Sequence, residues 1–320
     1  MSINLDTLPI IPLQKILEKC DFLDILCLRK TCKSLRASIA QIKPDFQIRE
    51  LKIHQVSSEF IKLTIENLQI DYKKHENGCQ INGKLLKNQD FLQIFLQDLM
   101  IIFEFQNSIL SYFNIKFHGE DVRFYENLQK NLKSSGIPLK IENLNLEVSD
   151  QYQILSVLPY ASEDFIGKLS ISDPEQRDFP LNLEEVVKLN QWKKAKEIEI
   201  LWVTVVQGVK DFVHFERCNV TNFGNLRAED LVLVKETFFA SSTPKFFHLG
   251  YANFIETEGF LEAEFGKQDV YPNDTDFEQR GWWLKIPDLE QVLHIEISDV
   301  YVEFTRMKME EVPEHIRENL

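Results

Sequence analysis

The amino-acid sequence predicts an α/β chain in which three short N-terminal helices precede a long region of alternating strands and helices. Two observations support this fold class. Apolar residues recur at helical spacing between Leu13 and Ile39. Beyond residue 100, short strands of the form apolar-x-apolar recur roughly 25–30 residues apart, with helical segments between them. Such alternation is typical of βα units with a mostly parallel sheet.

The segment from Leu8 to Arg36 has more apolar residues than so short a chain can bury against itself. Pro9 and Pro12 stand where a first helix could begin, and Asp21 and Asp24 are good caps for the second. Two interpretations remain open. The rest of the chain covers these residues, as in a helical corner of a larger core, or a second protein does.

Residues 5–40 resemble an F-box, most closely that of the nematode F-box A family, because the pattern LP…LQKIL…DF…D…L.LRK.CKSLR is present without a gap. In that family the F-box docks on the Skp-type adaptor of a cullin-based (SCF) ubiquitin ligase. The sequence departs from the family pattern at Cys20, where a larger Leu is usual, and at Thr31, where Val is usual. Each exchange weakens docking by about 1 kcal/mol if the position is buried in the complex. The resemblance implies these adaptor-binding residues: Leu8, Pro9, Ile16, Leu17, Asp24, Leu26, Leu28, Cys32 and Leu35.

The 320-residue chain is 44% hydrophobic and 27% charged, a globular composition, and its net charge is −14. The first fifty residues carry eight Lys and Arg and six Asp and Glu, a charge of +2, so the remainder carries −16. An acidic body of this kind argues against binding to nucleic acid or to an anionic membrane surface.

The sequence also predicts an intracellular protein. No apolar run approaches the roughly 18 residues of a membrane-spanning helix, and the N-terminus has no signal-peptide pattern. The five cysteines form no C-x-x-C pair, which favours free thiols in a reducing compartment. We therefore expect a cytoplasmic or nuclear location, or both.

Beyond the N-terminal segment, alternation of apolar and polar residues predicts strands, and 3.6-residue periodicity predicts helices. A turn is expected at residues 76–78. The predicted strands are 51–53, 63–72, 114–117, 144–146, 169–171, 198–200, 213–220, 246–251, 282–286 and 292–304. The predicted helices are 90–103, 120–134, 150–158, 183–194 and 228–240.

The spacing of these elements favours an irregular leucine-rich-repeat-like βα solenoid. An ordinary α/β domain with coincidental spacing remains the alternative. The predicted domain boundaries are an F-box at 5–45, a connecting region at 46–100, a repeat domain at 101–305 and a tail at 306–320. The Glu-rich tail, which contains Pro313, is expected to fray.

A second resemblance covers roughly residues 100–300 and concerns the FTH domain, which follows the F-box in the same nematode family. It depends on the blocks VLPYASEDFIGKLSIS (157–172), LNQWKKAKEIEI (189–200), DFVHFERCNV (211–220) and AEDLVLVKETFFASSTPKF (228–246). The resemblance implies a protein-interaction region whose partner differs among family members.

In a solenoid, the middle residue of each apolar-x-apolar strand faces away from the core. These middle residues are predicted to bind the target through a shallow, rather acidic face that suits a basic or hydrogen-bonding protein surface. For any one of them, an ordinary solvated strand position is the alternative. They are Asn145, Ser170, Glu199, His248 and Glu296.

The sequence indicates a structural or binding role for three of the tryptophans. Trp192 is interpreted as a helix anchor against the sheet. Trp282 and Trp283 lie in an alternating strand, so one is expected in the core and the other on the surface, where it would be a candidate binding hot spot.

The sequence contains none of the nucleotide-binding, hydrolase or metalloprotease motifs sought. His214 is interpreted as a packing residue and residues 273–278 as an acidic turn and not a calcium loop. We therefore predict no catalytic residue, no metal and no cofactor.

These observations predict a non-catalytic substrate-recognition subunit of an SCF-type ligase. Its partners would be a Skp-type adaptor, a cullin reached through the adaptor, and an unknown target protein. An F-box scaffold acting outside ubiquitination is one alternative, and an α/β enzyme with a deep polar pocket is another. Inhibiting the cullin distinguishes the scaffold alternative from the ligase prediction, because only a ubiquitination target would then become more abundant.

Overall fold

The computed structural model describes residues 5–119, 121–271, 279–287, 289–318 and 320, and only the backbone at 269–271 and 279. The predicted acidic turn at 273–278 lies outside the described residues. The chain divides into two compact units. The first unit comprises residues 1–145 and 156–166, and the second comprises residues 146–155 and 167–320. Each unit contains helices and a sheet with both parallel and antiparallel strand pairs.

The first unit begins with helices α1 (Ile10–Leu17), α2 (Phe22–Thr31) and α3 (Lys33–Ile42). The Asp21 carboxylate accepts a hydrogen bond from the Asp24 amide at 2.8 Å, which caps α2 as the sequence predicts. The remaining elements are β1 (Glu50–Ser57), β2 (Phe60–Ile65), β3 (Leu68–His75), β4 (Gly78–Ile81), β5 (Lys84–Lys87), α4 (Phe91–Phe105), β6 (Leu110–Lys116), α5 (Val122–Ser135) and β7 (Ile141–Glu147).

Strands β1 to β5 form an antiparallel meander, and β6 pairs with β1 in parallel. The prediction of one strand over 63–72 is wrong. Leu63 pairs with Ile70 across a hairpin whose turn contains Glu66 and Asn67, and Glu66 has a φ of +52°. The apolar alternation shifts by one residue at the turn, because Ile65 is followed by Leu68, and this change of phase was overlooked.

Helices α4 and α5 cover one side of the first-unit sheet. Aromatic rings form the contacts, with Phe95 lying 5.4 Å from Tyr72 and 6.0 Å from Phe124 between ring centroids. Ile53 and Leu63 are completely buried on this side. Residues of β1 and β2 that alternate with them are only half-buried, so the other side of the sheet is open.

The second unit contains the remaining elements. They are α6 (Gln151–Leu155), β8 (Lys168–Ser172), β9 (Phe179–Leu181), α7 (Asn190–Lys194), β10 (Glu197–Leu201), β11 (Val203–Val205), β12 (Arg217–Arg227), α8 (Ala228–Ala240), β13 (Phe246–Ile255), α9 (Phe260–Phe265), β14 (Asp269–Tyr271), β15 (Gln279–Lys285), β16 (Gln291–Ile297), β17 (Tyr301–Lys308) and α10 (Glu314–Arg317).

Strands β8, β10, β12 and β13 pair in parallel, and the antiparallel strands β17, β16 and β15 continue from β13. Several predicted elements differ. The strand at 213–220 begins only at Arg217, and the helix at 150–158 ends at Leu155. The strand at 292–304 is a hairpin in which Ile295 pairs with Phe304. Of the helix predicted at 183–194, only the last five residues are helical, and they form α7.

The tail packs against the second unit instead of fraying as expected. Val312 and Ile316 are buried with Val292, and Trp283 and Met309 pack against this cluster. The apolar residues of the tail therefore outweigh its Glu-rich composition.

Candidate interaction surfaces

The N-terminal helices separate their apolar residues into a buried set and an exposed set. The buried set forms the core of the three helices and comprises Leu13, Leu17, Phe22, Ile25, Leu35 and Ile39. The exposed set, which we call the N-terminal apolar patch, comprises Ile10, Ile11, Ile16 and Leu23, with exposed fractions of 43%, 68%, 38% and 40%. The helices thus bury the first set among themselves and leave the second set accessible.

The predicted adaptor-binding residues fall into three groups. Pro9, Ile16 and Asp24 are exposed, so a partner can reach them. Leu17 and Leu35 are 0% and 6% exposed and lie in the core of the helices. The half-buried group is Leu8, Leu26, Leu28 and Cys32. A partner can therefore contact the first and third groups directly, whereas Leu17 and Leu35 support the helices from inside.

The helices are held to the rest of the first unit by contacts near the end of α4. The rings of Phe46 and Phe105 stack with centroids 5.0 Å apart, and the Arg29 guanidinium lies 4.7 Å from the Phe105 centroid. Burial lowers the pKa of Arg29. The Asp45 carboxylate accepts hydrogen bonds from the amides of Asn107 and Ser108 at 2.8 and 3.1 Å. These contacts orient the N-terminal apolar patch within the unit.

A groove of about 610 Å³ adjoins the patch at Leu23. Its lining includes Phe22 and Phe46 on one side and Ile65 and Leu68 of the β2–β3 hairpin on the other. The apolar surface thus continues beyond the three helices onto the first-unit sheet.

A second candidate surface is the open side of the second-unit sheet. Register places one residue from each of six neighbouring strands in a line, because directly paired residues share a face of the sheet. We call this line the second-unit row, and it comprises Ser170, Glu199, Asn219, His248, Glu303 and Glu296.

The carboxylates of the second-unit row are held by neighbouring side chains. Glu199 accepts from Ser170 Oγ at 3.2 Å and pairs with Lys168 Nζ at 3.0 Å. His248 Nδ1 lies 2.8 Å from Glu303 Oε1.

Tyr301 lies two residues before Glu303 on β17, on the same side of the sheet, and contacts two residues of the row. Its hydroxyl donates to Glu296 Oε1 at 3.0 Å, and its ring stacks on His248 with centroids 5.0 Å apart. Burial, and then the hydrogen bond to Glu296, raise the pKa of Tyr301. The row is therefore an ordered polar surface with an excess of carboxylates.

Four of the five predicted target-binding residues lie in this row: Ser170, Glu199, His248 and Glu296. The fifth, Asn145, belongs to the first unit, where its amide donates to the Tyr112 hydroxyl at 3.2 Å. Asn219 and Glu303 were missed, although each is the middle residue of an apolar-x-apolar triplet, at 218–220 and 302–304. Only their alignment with the other four depends on the pairing of strands distant in sequence.

Trp202 was also missed by the sequence analysis. It lies between β10 and β11 with a φ of +62° and is 49% exposed. A bulky residue with positive φ is uncommon, and no sequence pattern marked it.

Trp192 and Trp282 are buried as their patterns indicate, whereas Trp283 is not exposed on the surface as expected. Trp192 is buried and donates from Nε1 to the Asp211 carbonyl at 3.0 Å, which fits a helix anchor. His214 Nε2 lies 3.0 Å from the Trp192 carbonyl, and burial lowers the pKa of His214. Trp282 is buried, whereas Trp283 is half-buried and stacks on His294 with centroids 4.0 Å apart.

Two searches for other kinds of site gave negative results over the described part of the chain. No group of three or more His, Cys, Asp or Glu side chains there is arranged to hold a metal ion. No helix among these residues has the length and apolar character needed to cross a membrane.

Comparison with protein families finds an F-box domain at residues 5–47 and an FTH domain at residues 122–263. Searches of curated proteins and of solved structures found no match. The chain thus carries an F-box domain. An FTH domain follows it, which confirms the architecture predicted from the sequence.

Proposed function

We propose that this protein is the substrate-recognition subunit of an SCF-type ubiquitin ligase. The observation that carries the proposal is an F-box whose apolar residues remain exposed on ordered helices. Exposed apolar patches of this kind mark protein interfaces. A Skp-type adaptor is the partner that an F-box typically binds, and a cullin would be reached through that adaptor.

The second-unit row is proposed to hold the target. It lies in the unit that contains most of the FTH match, and its ordered carboxylates suit a basic or hydrogen-bonding protein surface. Holding a target lysine near a charged conjugating enzyme raises its effective concentration. The chain itself then needs no catalytic residue, and its place of action would be cytoplasmic or nuclear.

The parallel strands of the second unit are proposed to be irregular leucine-rich-repeat-like repeats. Leu169, Ile198, Cys218 and Phe247 occupy one line of buried positions. Their separations in sequence are 29, 20 and 29 residues, taken from 198 − 169, 218 − 198 and 247 − 218. Repeats of this length stack strands at a common register, and the middle separation of 20 residues, shorter than the expected 25–30, makes the proposed repeat irregular.

Copurification with a Skp-type adaptor tests the adaptor proposal. The Leu8→Ala, Pro9→Ala double variant tests the opening residues of the pattern, and Ile16→Glu with Leu23→Glu tests the exposed patch. Each charge buried at an interface costs on the order of 2 kcal/mol, so the second pair should abolish a stable complex. The wild type should form a one-to-one complex.

Leu233→Glu is a matched control, because Leu233 is 38% exposed, as Ile16 is, but lies on α8 in the second unit. It should copurify as the wild type does. The proposal is wrong if the wild type does not bind the adaptor, or if the control loses binding together with the patch variant.

A further inference from the structure

The groove beside the N-terminal apolar patch has one wall outside the F-box. Cys20 and Leu23 of the first wall belong to the F-box match at 5–47. Ile65 and Leu68 of the second wall belong to the β2–β3 hairpin, which lies between the F-box and FTH matches. We call this space the hairpin groove, and it lies entirely within the first unit.

The hairpin groove is continuous with the N-terminal apolar patch. Leu23, which is 40% exposed, belongs to both. The Cys20 thiol donates to the Ile16 carbonyl at 3.4 Å, so the groove lining also lies directly beside a second patch residue. A partner that covers Ile16 and Leu23 therefore meets the opening of the groove.

The small side chain of Cys20 leaves room in this groove. The F-box pattern that the chain resembles usually has the larger Leu at this position. Burial, and then the carboxylates of Asp24 and Asp21, raise the pKa of the Cys20 thiol. The thiol therefore stays neutral near pH 7 and behaves as a small apolar group.

Hydrogen bonds hold the second wall in place. Glu66 Oε1 accepts from the amides of Arg49 and Glu50 at 2.6 and 3.2 Å, and the Glu66 amide donates to the Glu50 carbonyl at 3.0 Å. These bonds tie the turn of the hairpin to the strand that follows the F-box. Because both walls are ordered, a partner that enters the groove has little ordering cost to offset.

We propose that the hairpin groove extends the adaptor interface beyond the F-box and receives an apolar segment of the Skp-type adaptor. This inference rests on the proposed ligase function and adds the β2–β3 hairpin to its docking surface. Continuity with the N-terminal apolar patch supports the adaptor as the occupant.

The size of the F-box supports the same occupant. Helices α1, α2 and α3 contain 8, 10 and 10 residues, and a partner on one side can contact only part of them. A stable interface uses about 20–30 residues on each partner. An adaptor bound to the patch therefore needs contacts outside the three helices, and the hairpin groove is the adjoining apolar surface.

Calorimetric titration of the full-length chain with a purified Skp-type adaptor tests this inference. Leu68→Glu places a charge in the groove and leaves every F-box residue unchanged. It should weaken adaptor binding at least tenfold, because the carboxylate loses its hydration in the complex. Leu85→Glu is the matched control, since Leu85 is 36% exposed on β5 of the same unit and does not line the groove. Its affinity should stay within twofold of the wild type.

Hydrogen exchange of the wild type provides a second measurement that does not depend on the folding of a variant. Adding the adaptor should slow exchange of the amides at residues 66–68 at least fivefold. The amides at residues 82–85, in the β4–β5 hairpin, should exchange at an unchanged rate.

The outcomes separate this inference from the ligase proposal. If the wild type binds the adaptor but Leu68→Glu binds equally well, or the amides at 66–68 do not slow, the groove belongs to another occupant such as the target. The inference is then overturned while the ligase proposal stands. An equal loss for Leu85→Glu also overturns it, because the effect would not be specific to the groove. If the wild type does not bind the adaptor, both proposals are wrong.

Discussion

The open sides of the two sheets are built on the same plan and carry different charged residues. In both units helices cover one side, and alternating residues leave a polar row on the other. On the first-unit sheet the directly paired residues of β6, β1, β2 and β3 form a line that we call the first-unit row: Lys116, His54, Lys62 and Asp71. The second-unit row contains three glutamates.

The two rows also differ in how their charges are held. In the second-unit row Glu199 pairs with Lys168, and Glu303 lies beside His248. In the first-unit row, Lys62 stands between His54 and Asp71, and its nearest ring is Phe60. The difference shows that the buried side of each sheet determines the fold. The charges of the open side can therefore differ between the units without changing the fold.

The strongest test of this comparison replaces, one at a time, two neighbouring residues of β13 whose side chains lie on opposite sides of the sheet. Phe247 is completely buried, with its ring 5.4 Å from that of Phe238, so Phe247→Ala should lower the free energy of unfolding by about 3–5 kcal/mol. His248→Ala, on the open side, should cost about 1 kcal/mol or less. Urea denaturation followed by circular dichroism measures both.

Equal losses for the two variants would contradict the division into a core side and an open side. The slopes of the two denaturation curves provide the control, because an unchanged slope shows that both variants unfold from the same compact state.

A smaller effect distinguishes the lysines of the two faces. Lys168 pairs with the partly buried Glu199 at 3.0 Å, so Lys168→Gln should lower the free energy of unfolding by about 1 kcal/mol. Lys62→Gln removes a cation next to His54 and should change stability by less than about 0.5 kcal/mol. Denaturation in high salt should reduce the loss for Lys168→Gln, since salt screens the pair. If Lys168→Gln and Lys62→Gln lower the free energy of unfolding equally, then the lysines of the two open sides do not differ in their contribution to stability.

Much of this arrangement could be predicted from the sequence because local patterns determine it. The spacing of Leu169 and Ile171, and of Ile198 and Ile200, marks the core side of two strands and therefore also the open positions between them. The Asp21 cap and the periodicity of α4 are likewise local. The F-box and FTH resemblances depended on motifs of this local kind.

What could not be predicted depends on pairings between distant parts of the chain. Glu303 joins the second-unit row only because β17 pairs with β13, a separation of 55 residues between Glu303 and His248. The two hairpins were taken as single strands although the apolar alternation changes phase at each turn, between Ile65 and Leu68 and between Ile297 and Val300. The turns also contain Asn67 and Asp299, which are turn-forming residue types, so local signals existed and were overlooked.

The smallest predicted effect concerns the titration of His294 on the open side of the second-unit sheet. Its ring stacks on Trp283, and its Nε2 is buried without a hydrogen-bond partner among the described residues. Burial lowers the pKa of His294, while the Glu303 carboxylate opposes that shift. The folded chain therefore takes up this proton less readily than the unfolded chain, whose histidines titrate at about 6.5.

The sign of the pH dependence follows from this difference. The contribution of neutral His294 is complete above the unfolded-state pKa and is lost as the pH falls through that value toward the folded-state pKa. Wild-type stability should thus decrease between about pH 7.5 and about pH 5.5, and His214, whose pKa burial also lowers, adds a loss of the same sign. His294→Gln should remove part of this decrease. If His294→Gln and the wild type lose stability in parallel over this pH range, then burial of this imidazole does not contribute to the decrease.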